Sequence, residues 1–339
     1  MDSVCIGIVG LGRLGKRHAL NLLCHVPGAR LIAAASPVAE EREWARRNLP
    51  GATICESLDE VLAMDGVDAV WLVTPTTLHV EQVEKSLLAG KHVFCEKPLS
   101  LTLDACDQVI ELANKRPEQT VMIGFTRRFD AAYMALKERI DSGNLGGVYR
   151  IHFESHDPID PDGFFVKFAP TSGGLFLDCG IHDVDLALWL AGGARPLRVS
   201  ASGCNRQYPG LAECGDIDTG VGTIEFDNGL VATMFISRTS HRGYEATIWA
   251  NGTQGSALAG KSVAASALVT EYGNMQHQGG LPDFFARFSD AFIVEARTFV
   301  DAIRRGEPSP LSLKDAREAT RLAIALREAC EKHRVIELK

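Results

Sequence analysis

The sequence lacks the features typical of membrane proteins, nucleic-acid-binding proteins and secreted proteins. Its 339 residues contain no apolar run of about 18 residues, so no membrane span is expected. No block of lysines and arginines stands out against the net charge of -8, which argues against a nucleic-acid partner. The first residues show neither the basic nor the apolar region of a signal peptide, so we expect no leader.

The nine cysteines also lack a pattern. They are scattered singly, none forms a Cys-x-x-Cys pair, and their number is odd. A chain of this length builds a hydrophobic core without disulfides, so the cysteines favour a reducing compartment and predict a cytoplasmic protein. The missing ligand spacing, together with the absence of a His-Glu-x-x-His segment, argues against a metal site.

The first 125 residues alternate between apolar strands and segments of helical spacing. A composition of 46% hydrophobic and 23% charged residues is that of a globular protein, and the length predicts two domains. The predicted strands are residues 4–9, 30–35, 69–73, 91–95 and 120–125. Apolar strands that alternate with helices predict an α/β domain at residues 1–124, with a doubly wound parallel sheet of the Rossmann type.

After residue 125 the strands become half-polar. Residues 148–156 alternate between apolar and polar side chains, and Asp227-Asn228-Gly229 is a hairpin signal between two further strands. We therefore predict a second, α+β domain at residues 125–339, with an open and mostly antiparallel sheet and closing helices at 284–304 and 313–328. An open sheet face tends to be covered, which predicts a homodimer or homotetramer packed through this domain.

A glycine-rich turn follows the first predicted strand and opens the first helix. Gly10-Leu11-Gly12-Arg13-Leu14-Gly15 has the Gly-x-Gly-x-x-Gly spacing of dinucleotide-binding folds. The glycines permit a tight turn, close approach of a pyrophosphate and close helix packing, while the helix N-terminus donates N–H groups to phosphates. The alternative is an accidental glycine turn, which the strand–helix context disfavours. The residues predicted to bind the cofactor here are Gly10, Gly12, Arg13, Leu14 and Gly15.

The choice between NAD and NADP stays open, with a preference for NAD. The acidic residue expected about 20 positions after the glycine loop, for the ribose hydroxyls, is missing, and Ser36 follows the second strand instead. Serine can bind either a 2′-hydroxyl or a 2′-phosphate. No arginine adjoins Ser36, although Arg42 is in the next helix, and this favours NAD over NADP.

Lys97 follows the predicted strand at residues 91–95, within Glu96-Lys97-Pro98. Ligands of such sheets bind beyond the carboxyl ends of the strands, so both Glu96 and Lys97 are predicted to border the cofactor. An ammonium group beside a cationic nicotinamide would have a lowered pKa, which suits proton transfer near neutral pH. The alternative is an ordinary surface lysine.

Residues 173–190 form an apolar segment with a polar stripe. At helical spacing, Asp178, His182 and Asp185 stand at i, i+4 and i+7 on one face of a single predicted helix. Ionisable groups on a buried helix are costly unless they line a polar cavity or pair with each other. The stripe is therefore either a structural Asp–His pair or a site in which His182 orients or deprotonates a substrate hydroxyl and Asp178 fixes the tautomer of His182.

These elements, in this order, resemble the glucose–fructose oxidoreductase/inositol dehydrogenase/MocA (GFO/IDH/MocA) family over nearly the whole chain. The resemblance also rests on residues 74–79, 96–98, 124–130 and 173–189. It implies that Lys97, Asp178 and His182 are catalytic. It further implies a group of cofactor contacts after the third long strand, namely Thr74, Pro75, Thr76 and His79. Ser36 departs from the acidic residue that is frequent in the family.

Within the family, residues 127–130, 155–158 and 242–244 resemble inositol 2-dehydrogenases most. That likeness implies substrate contacts from Arg127, Asp157 and Tyr244 as well as from the catalytic residues. The predicted function is NAD(P)-dependent oxidation of a secondary ring hydroxyl of an inositol-like polyol or sugar. The alternatives are an NADPH-dependent keto-sugar reductase, a glycosidase that uses NAD transiently, and a regulator that senses sugars or nucleotides on the same scaffold.

Overall fold

The chain divides into two compact units. The structure, a computed structural model, describes residues 3–260, 270–272, 275–277 and 281–338. The first unit comprises Met1–Thr126 and Asp290–Thr320, and the second comprises Arg127–Ser289 and Arg321–Lys339. The cut predicted between residues 124 and 125 falls near the observed one, but the segment 290–320, predicted for the second domain, belongs to the first unit.

The first unit contains a six-stranded parallel sheet with helices between its strands. The strands are β1 (Val4–Val9), β2 (Ala29–Ala35), β3 (Thr53–Cys55), β4 (Ala69–Leu72), β5 (His92–Glu96) and β6 (Val121–Gly124). The helices are α1 (Arg13–Cys24), α2 (Ala39–Asn48), α3 (Leu58–Leu62), α4 (His79–Leu88) and α5 (Leu103–Asn114). The strand order is β3-β2-β1-β4-β5-β6, which confirms the doubly wound Rossmann sheet and puts the change of direction between β1 and β4.

Aromatic packing explains why residues 290–320 belong to the first unit. Trp71 of β4 and Phe94 of β5 are register partners, and their rings stack with centroids 3.7 Å apart. Phe299 packs edge-on against both rings, at 5.6 and 6.0 Å, and Phe292 contacts the ring of His18 at 5.3 Å. A contact between aromatic side chains about 200 residues apart depends on tertiary packing and leaves no local sequence pattern.

The second unit contains a seven-stranded sheet in the order β12-β11-β7-β10-β9-β8-β15. Only β7 and β10 run parallel among the strands of this sheet, which confirms the mostly antiparallel prediction. The strands are β7 (Val148–Pro158), β8 (Pro196–Cys204), β9 (Thr219–Phe226), β10 (Val231–Ser240), β11 (Glu245–Gly252), β12 (Ser256–Ala259) and β15 (Ile336–Glu337), with a separate pair, β13 (Thr270–Tyr272) and β14 (Met275–His277).

Helices contact this second sheet at β7, β9 and β12, and the hairpin signal is confirmed. The remaining helices are α6 (Ala131–Asp141), α7 (Phe164–Ser172), α8 (Leu175–Asp178), α9 (Ile181–Leu190), α10 (Phe284–Arg305) and α11 (Leu313–Lys332). At the turn between β9 and β10, Gly229 has a φ of 83° and Asn228 Oδ1 accepts the N–H of Leu230 at 3.0 Å. Among the described residues, no helix has both the length and the apolar character that crossing a membrane requires.

Candidate active site

The outer glycines of the turn after β1 are required by the fold itself. Gly10 has a φ of 94°, and a side chain there would overlap the carbonyl of Val73, which follows β4. A side chain on Gly15 would overlap the carbonyl of Gly10. The turn therefore packs its backbone against itself and against the loop after β4.

Gly12 is different, because the fold leaves room beside it. It is the N-cap residue that precedes α1, with a φ of -66°, and a Cβ placed on it would lie 3.8 Å from Oε1 of Glu41. No side chain caps α1 at this residue, so phosphate oxygens can satisfy the first N–H groups of the helix. A glycine that the local packing does not need, at an uncapped helix N-terminus, fits the close approach of a pyrophosphate.

Ser36 is buried at the end of β2, and its side chain is already hydrogen-bonded. Its hydroxyl donates to Oε2 of Glu41 at 2.5 Å and accepts the N–H of Val38 at 3.1 Å. Arg42 donates to the Ser36 carbonyl at 2.9 Å and forms an ion pair with Glu56 at 2.8 Å. The residue predicted to contact the ribose is thus coupled to a carboxylate that sequence analysis did not single out.

His79 connects the loops after β4 and β5. Its ring is 1% exposed, with Nδ1 2.7 Å from the Pro98 carbonyl and Nε2 2.8 Å from the Thr74 carbonyl. Burial lowers the pKa of His79 below its usual value. The hydroxyl of Thr74 donates to Gln82 at 2.5 Å, and Pro75 precedes a short 3-10 turn that includes Thr76. His79 therefore fixes the loops that carry its predicted cofactor-binding neighbours.

Lys97 lies directly beyond β5 and is partly exposed, whereas Glu96 and Pro98 on either side are buried. Glu96 turns inward, with Oε1 2.9 Å from His18 Nε2 and Oε2 accepting the backbone N–H of Lys97 at 3.1 Å. The Glu96 carboxylate therefore fixes the backbone of Lys97 at the end of β5.

A second buried carboxyl lies behind this strand. Glu295 of α10 is fully buried, and its pKa is raised well above 4.5, chiefly by burial and then by the negative charge of Glu96. Glu295 was not predicted from the sequence, because α10 was expected to lie in the second domain.

The predicted single helix over residues 173–190 is wrong, because it is interrupted between α8 and α9. The N–H of Gly180 donates to the Leu175 carbonyl at 3.0 Å, which widens the turn. A Cβ on Gly180 would lie 2.7 Å from Ile236 Cδ1 and 2.9 Å from the Phe176 carbonyl. Close packing against β10 thus distorts the turn, so Asp178 ends α8 and α9 begins at Ile181, one residue before His182.

A buried arginine that the sequence analysis missed holds Asp178. Arg238 of β10 donates from Nη2 to Asp178 Oδ2 at 2.9 Å and from Nη1 to Asp216 Oδ2 at 2.9 Å. Its side chain has no exposed surface, whereas the side chain of Asp178 is 19% exposed. A signal was present, because Arg238 falls in the same alternation phase as the buried residues Met234 and Ile236. An arginine in an apolar phase requires a buried partner.

Arg127 and Tyr244 belong to a buried hydrogen-bond network. Arg127 donates to Asp183 Oδ1 at 2.6 Å, to the Ser155 hydroxyl at 2.8 Å and to the Tyr244 hydroxyl at 3.0 Å. Ser155 also donates to Asp183, at 2.8 Å. Burial raises the pKa of Asp183, although the positive charge of Arg127 opposes this effect. Arg127 and Tyr244, both predicted to contact the substrate, therefore make hydrogen bonds within the second unit.

The other two acidic residues have separate partners. Asp185 forms a bidentate ion pair with Arg128, at 2.8 and 2.7 Å. It therefore has a partner of its own, apart from the predicted stripe with His182. Asp157 accepts a hydrogen bond from the Cys179 thiol at 3.4 Å. Burial and the charge of Asp178 raise the pKa of Asp157. The second unit thus brings Asp157, Asp178 and Arg238 into one electrostatic group.

Within the described residues, the ligand atoms of Glu154, His156 and Glu245 lie within 4.8 Å of one another, close enough to hold a metal ion. None of the three is a predicted catalytic, cofactor-binding or substrate-binding residue.

The first unit offers a dinucleotide-binding turn and a lysine at the carboxyl edge of its sheet, and the second offers an anchored carboxylate followed by a histidine. Such a fold and such groups define an NAD(P)-binding oxidoreductase. A family model described as an oxidoreductase family with an NAD-binding Rossmann fold matches residues 4–125, and a GFO/IDH/MocA C-terminal domain model matches residues 133–258. The chain belongs to the GFO/IDH/MocA oxidoreductase family.

Known relatives match nearly the full length. The chain is 36% identical to scyllo-inositol 2-dehydrogenase (NAD(+)) of Bacillus subtilis, covering 90% of this chain and 87% of that one. It is 32% identical to myo-inositol 2-dehydrogenase of Thermotoga maritima, covering 98% of each. Its structure is similar to that of scyllo-inositol dehydrogenase from Lactobacillus casei with bound NAD(H) and scyllo-inositol, with a TM-score of 0.92, 34% identity and 99% coverage of both chains.

Proposed function

We propose that this protein is an NAD-dependent dehydrogenase that oxidises a secondary ring hydroxyl of an inositol. The observation that carries the proposal is the anchoring of Asp178 by the fully buried Arg238, because a buried ion pair fixes a carboxylate that is itself partly exposed. The substrate class follows from the relatives, whose names specify scyllo- and myo-inositol.

Lys97 is the group to which we assign proton transfer. A secondary alcohol is too weak an acid to lose its proton unaided at neutral pH, so its oxidation needs a positioned base. The inward hydrogen bond from the Lys97 N–H to Glu96 fixes the backbone while the side chain keeps access to solvent. NAD, when bound, accepts the hydride from the substrate carbon.

His182 orients the substrate hydroxyl in this proposal, and Asp178 contributes negative charge beside it. Asp157 serves as a substrate contact because it is partly exposed and shares the electrostatic environment of Asp178. We assign Arg127 and Tyr244 a positioning role instead, since Arg127 donates both to the Tyr244 hydroxyl and to Asp183, the residue that follows His182 on α9.

The cofactor is held by the turn after β1. Gly12 and the uncapped N-terminus of α1 would bind the pyrophosphate, and the loop after β4, fixed by His79, would line the rest of the dinucleotide.

The test is a substrate panel with purified protein. Each of NAD and NADP is combined with scyllo-inositol, myo-inositol, other inositols and aldoses, and reduced cofactor is followed by its absorbance. The proposal predicts NADH formation with at least one inositol and weak or no turnover of aldoses. Binding without turnover of any polyol would support the regulator instead, and turnover only of keto-sugars with NADPH would support the reductase.

We also propose that the protein assembles through the outer face of its second sheet. Trp249 of β11 and Val221 of β9 are 48% and 50% exposed. Apolar side chains on an open sheet face favour a homodimer or homotetramer. A monomer in light scattering at micromolar concentration would contradict this proposal, and Trp249→Glu should weaken the assembly.

We also propose a cytoplasmic location, because all nine cysteines are free, as expected of a reducing compartment. Cell fractionation with an antibody to the protein tests this location.

A further inference from the structure

A carboxylate from the following helix, α2, lies at the turn after β2. The family frequently has an acidic residue where this chain has Ser36, and a serine cannot supply its charge. Glu41, five residues later in the first turn of α2, places Oε2 2.5 Å from the Ser36 hydroxyl, which donates to it. Ser36 is 1% exposed, whereas Glu41 is partly exposed.

The same carboxylate faces the glycine turn. Its other oxygen, Oε1, lies 3.8 Å from the position that a Cβ on Gly12 would occupy. Gly12 is the residue beside which the fold leaves room. One oxygen of Glu41 is thus fixed by the end of β2 and the other is directed toward the pyrophosphate turn, between the two elements that hold the adenosine half of a dinucleotide in Rossmann folds.

We propose that Glu41 binds the adenosine ribose hydroxyls and excludes NADP. This inference rests on the proposed function and adds a selectivity residue to it. A carboxylate accepts hydrogen bonds from the 2′-hydroxyl of NAD and repels the negatively charged 2′-phosphate of NADP. Ser36 acts through Glu41, because its hydroxyl holds the carboxylate in place.

Arg42 does not provide the opposite selectivity. Its guanidinium bonds the Ser36 carbonyl and pairs with Glu56, and its side chain is only 15% exposed. An arginine engaged in this way is not positioned to clamp a 2′-phosphate.

The test measures dinucleotide binding by calorimetry, on the full-length protein without polyol. Glu41→Gln should weaken NAD binding on the order of 10-fold, as expected for the loss of a charge-assisted hydrogen bond, and should strengthen NADP binding. Glu41→Asp keeps the charge on a shorter side chain, so NAD should bind more weakly with no gain for NADP. Glu40→Gln, the same change at the exposed neighbouring residue, is the matched control.

Opposite changes for the two cofactors cannot come from partial unfolding, which weakens both. An unchanged ratio of the two dissociation constants in Glu41→Gln, or a wild type that prefers NADP, would overturn the role of Glu41. Formation of NADH from inositol by the wild type tests the proposed function separately, so the two failures are distinguishable.

Discussion

Arg238 Nη2 donates to Asp178 Oδ2 at 2.9 Å, so a fully buried arginine on a strand fixes the carboxylate that closes α8. The same guanidinium holds Asp216, which accepts the N–H of Leu175 at the start of that helix. One arginine therefore links both ends of α8 to the sheet.

Replacing Arg238 should destabilise the protein strongly. Arg238→Met leaves two carboxylates without their buried partner, and breaking such a pair costs about 3–5 kcal/mol. Denaturant unfolding measures this loss. The matched control is Arg242→Met, because Arg242 pairs with Glu245 at 3.0 Å but is 69% exposed, and an exposed pair is worth at most about 1 kcal/mol. Equal losses in the two variants would show that Arg238 does not anchor the site.

The glycines of the first turn should separate into two classes. Gly15→Ala forces overlap with the Gly10 carbonyl and should lower the melting temperature. Gly12→Ala meets nothing closer than Glu41, so we expect a wild-type melting temperature and lost NAD binding. Circular dichroism and calorimetry provide the two readouts. Normal NAD affinity in a folded Gly12→Ala would contradict the assignment of the pyrophosphate turn.

Glu295 should make the stability of the protein depend on pH. Its raised pKa means that the folded state holds a proton which the unfolded state releases above about pH 4.5, so stability falls as the pH rises from there toward the folded pKa. Glu295→Gln cannot ionise. The free energy of unfolding of this variant should therefore rise, relative to that of the wild type, by about 1.4 kcal/mol per pH unit over that window.

Urea unfolding between pH 4.5 and 8 measures this difference, with Glu111→Gln on an exposed helix position as the control. A stability difference between Glu295→Gln and wild type that stays constant with pH would mean that Glu295 does not carry a proton in the folded state.

Tyr244→Phe distinguishes a positioning role from direct substrate contact. The hydroxyl accepts a hydrogen bond from Arg127, so its removal should cost about 1–3 kcal/mol of stability. The KM for inositol should stay roughly unchanged if Tyr244 acts through Arg127 and Asp183. A large rise in KM with unchanged kcat would restore the predicted substrate contact.

Sequence periodicity predicted most of the fold because most of its signals are local. The strand at residues 4–9 coincides with β1, and the hairpin at Asp227-Asn228-Gly229 joins β9 and β10 as expected. The position of Lys97 at the end of a strand was equally readable, since the apolar run and the residue after it are adjacent in sequence.

Contacts between distant residues could not be predicted in the same way. The break at Gly180 depends on Ile236, and the place of residues 290–320 depends on rings of β4 and β5. The coupling of Ser36 to Glu41 is short in sequence but depends on the geometry of the turn after β2. Arg238 could have been predicted from the sequence, because its place in the alternation of a strand already indicated a buried charge.

The most direct test of the central claim is NADH formation from scyllo- and myo-inositol by wild type, Lys97→Ala and His182→Ala, with the exposed Lys115→Ala as control. We predict that the wild type and Lys115→Ala turn over an inositol with NAD. The Lys97 and His182 variants should lose on the order of 10²–10⁴ in kcat while still binding NAD. Near-normal turnover by a folded Lys97→Ala, or no NADH from any inositol with the wild type, would contradict the account.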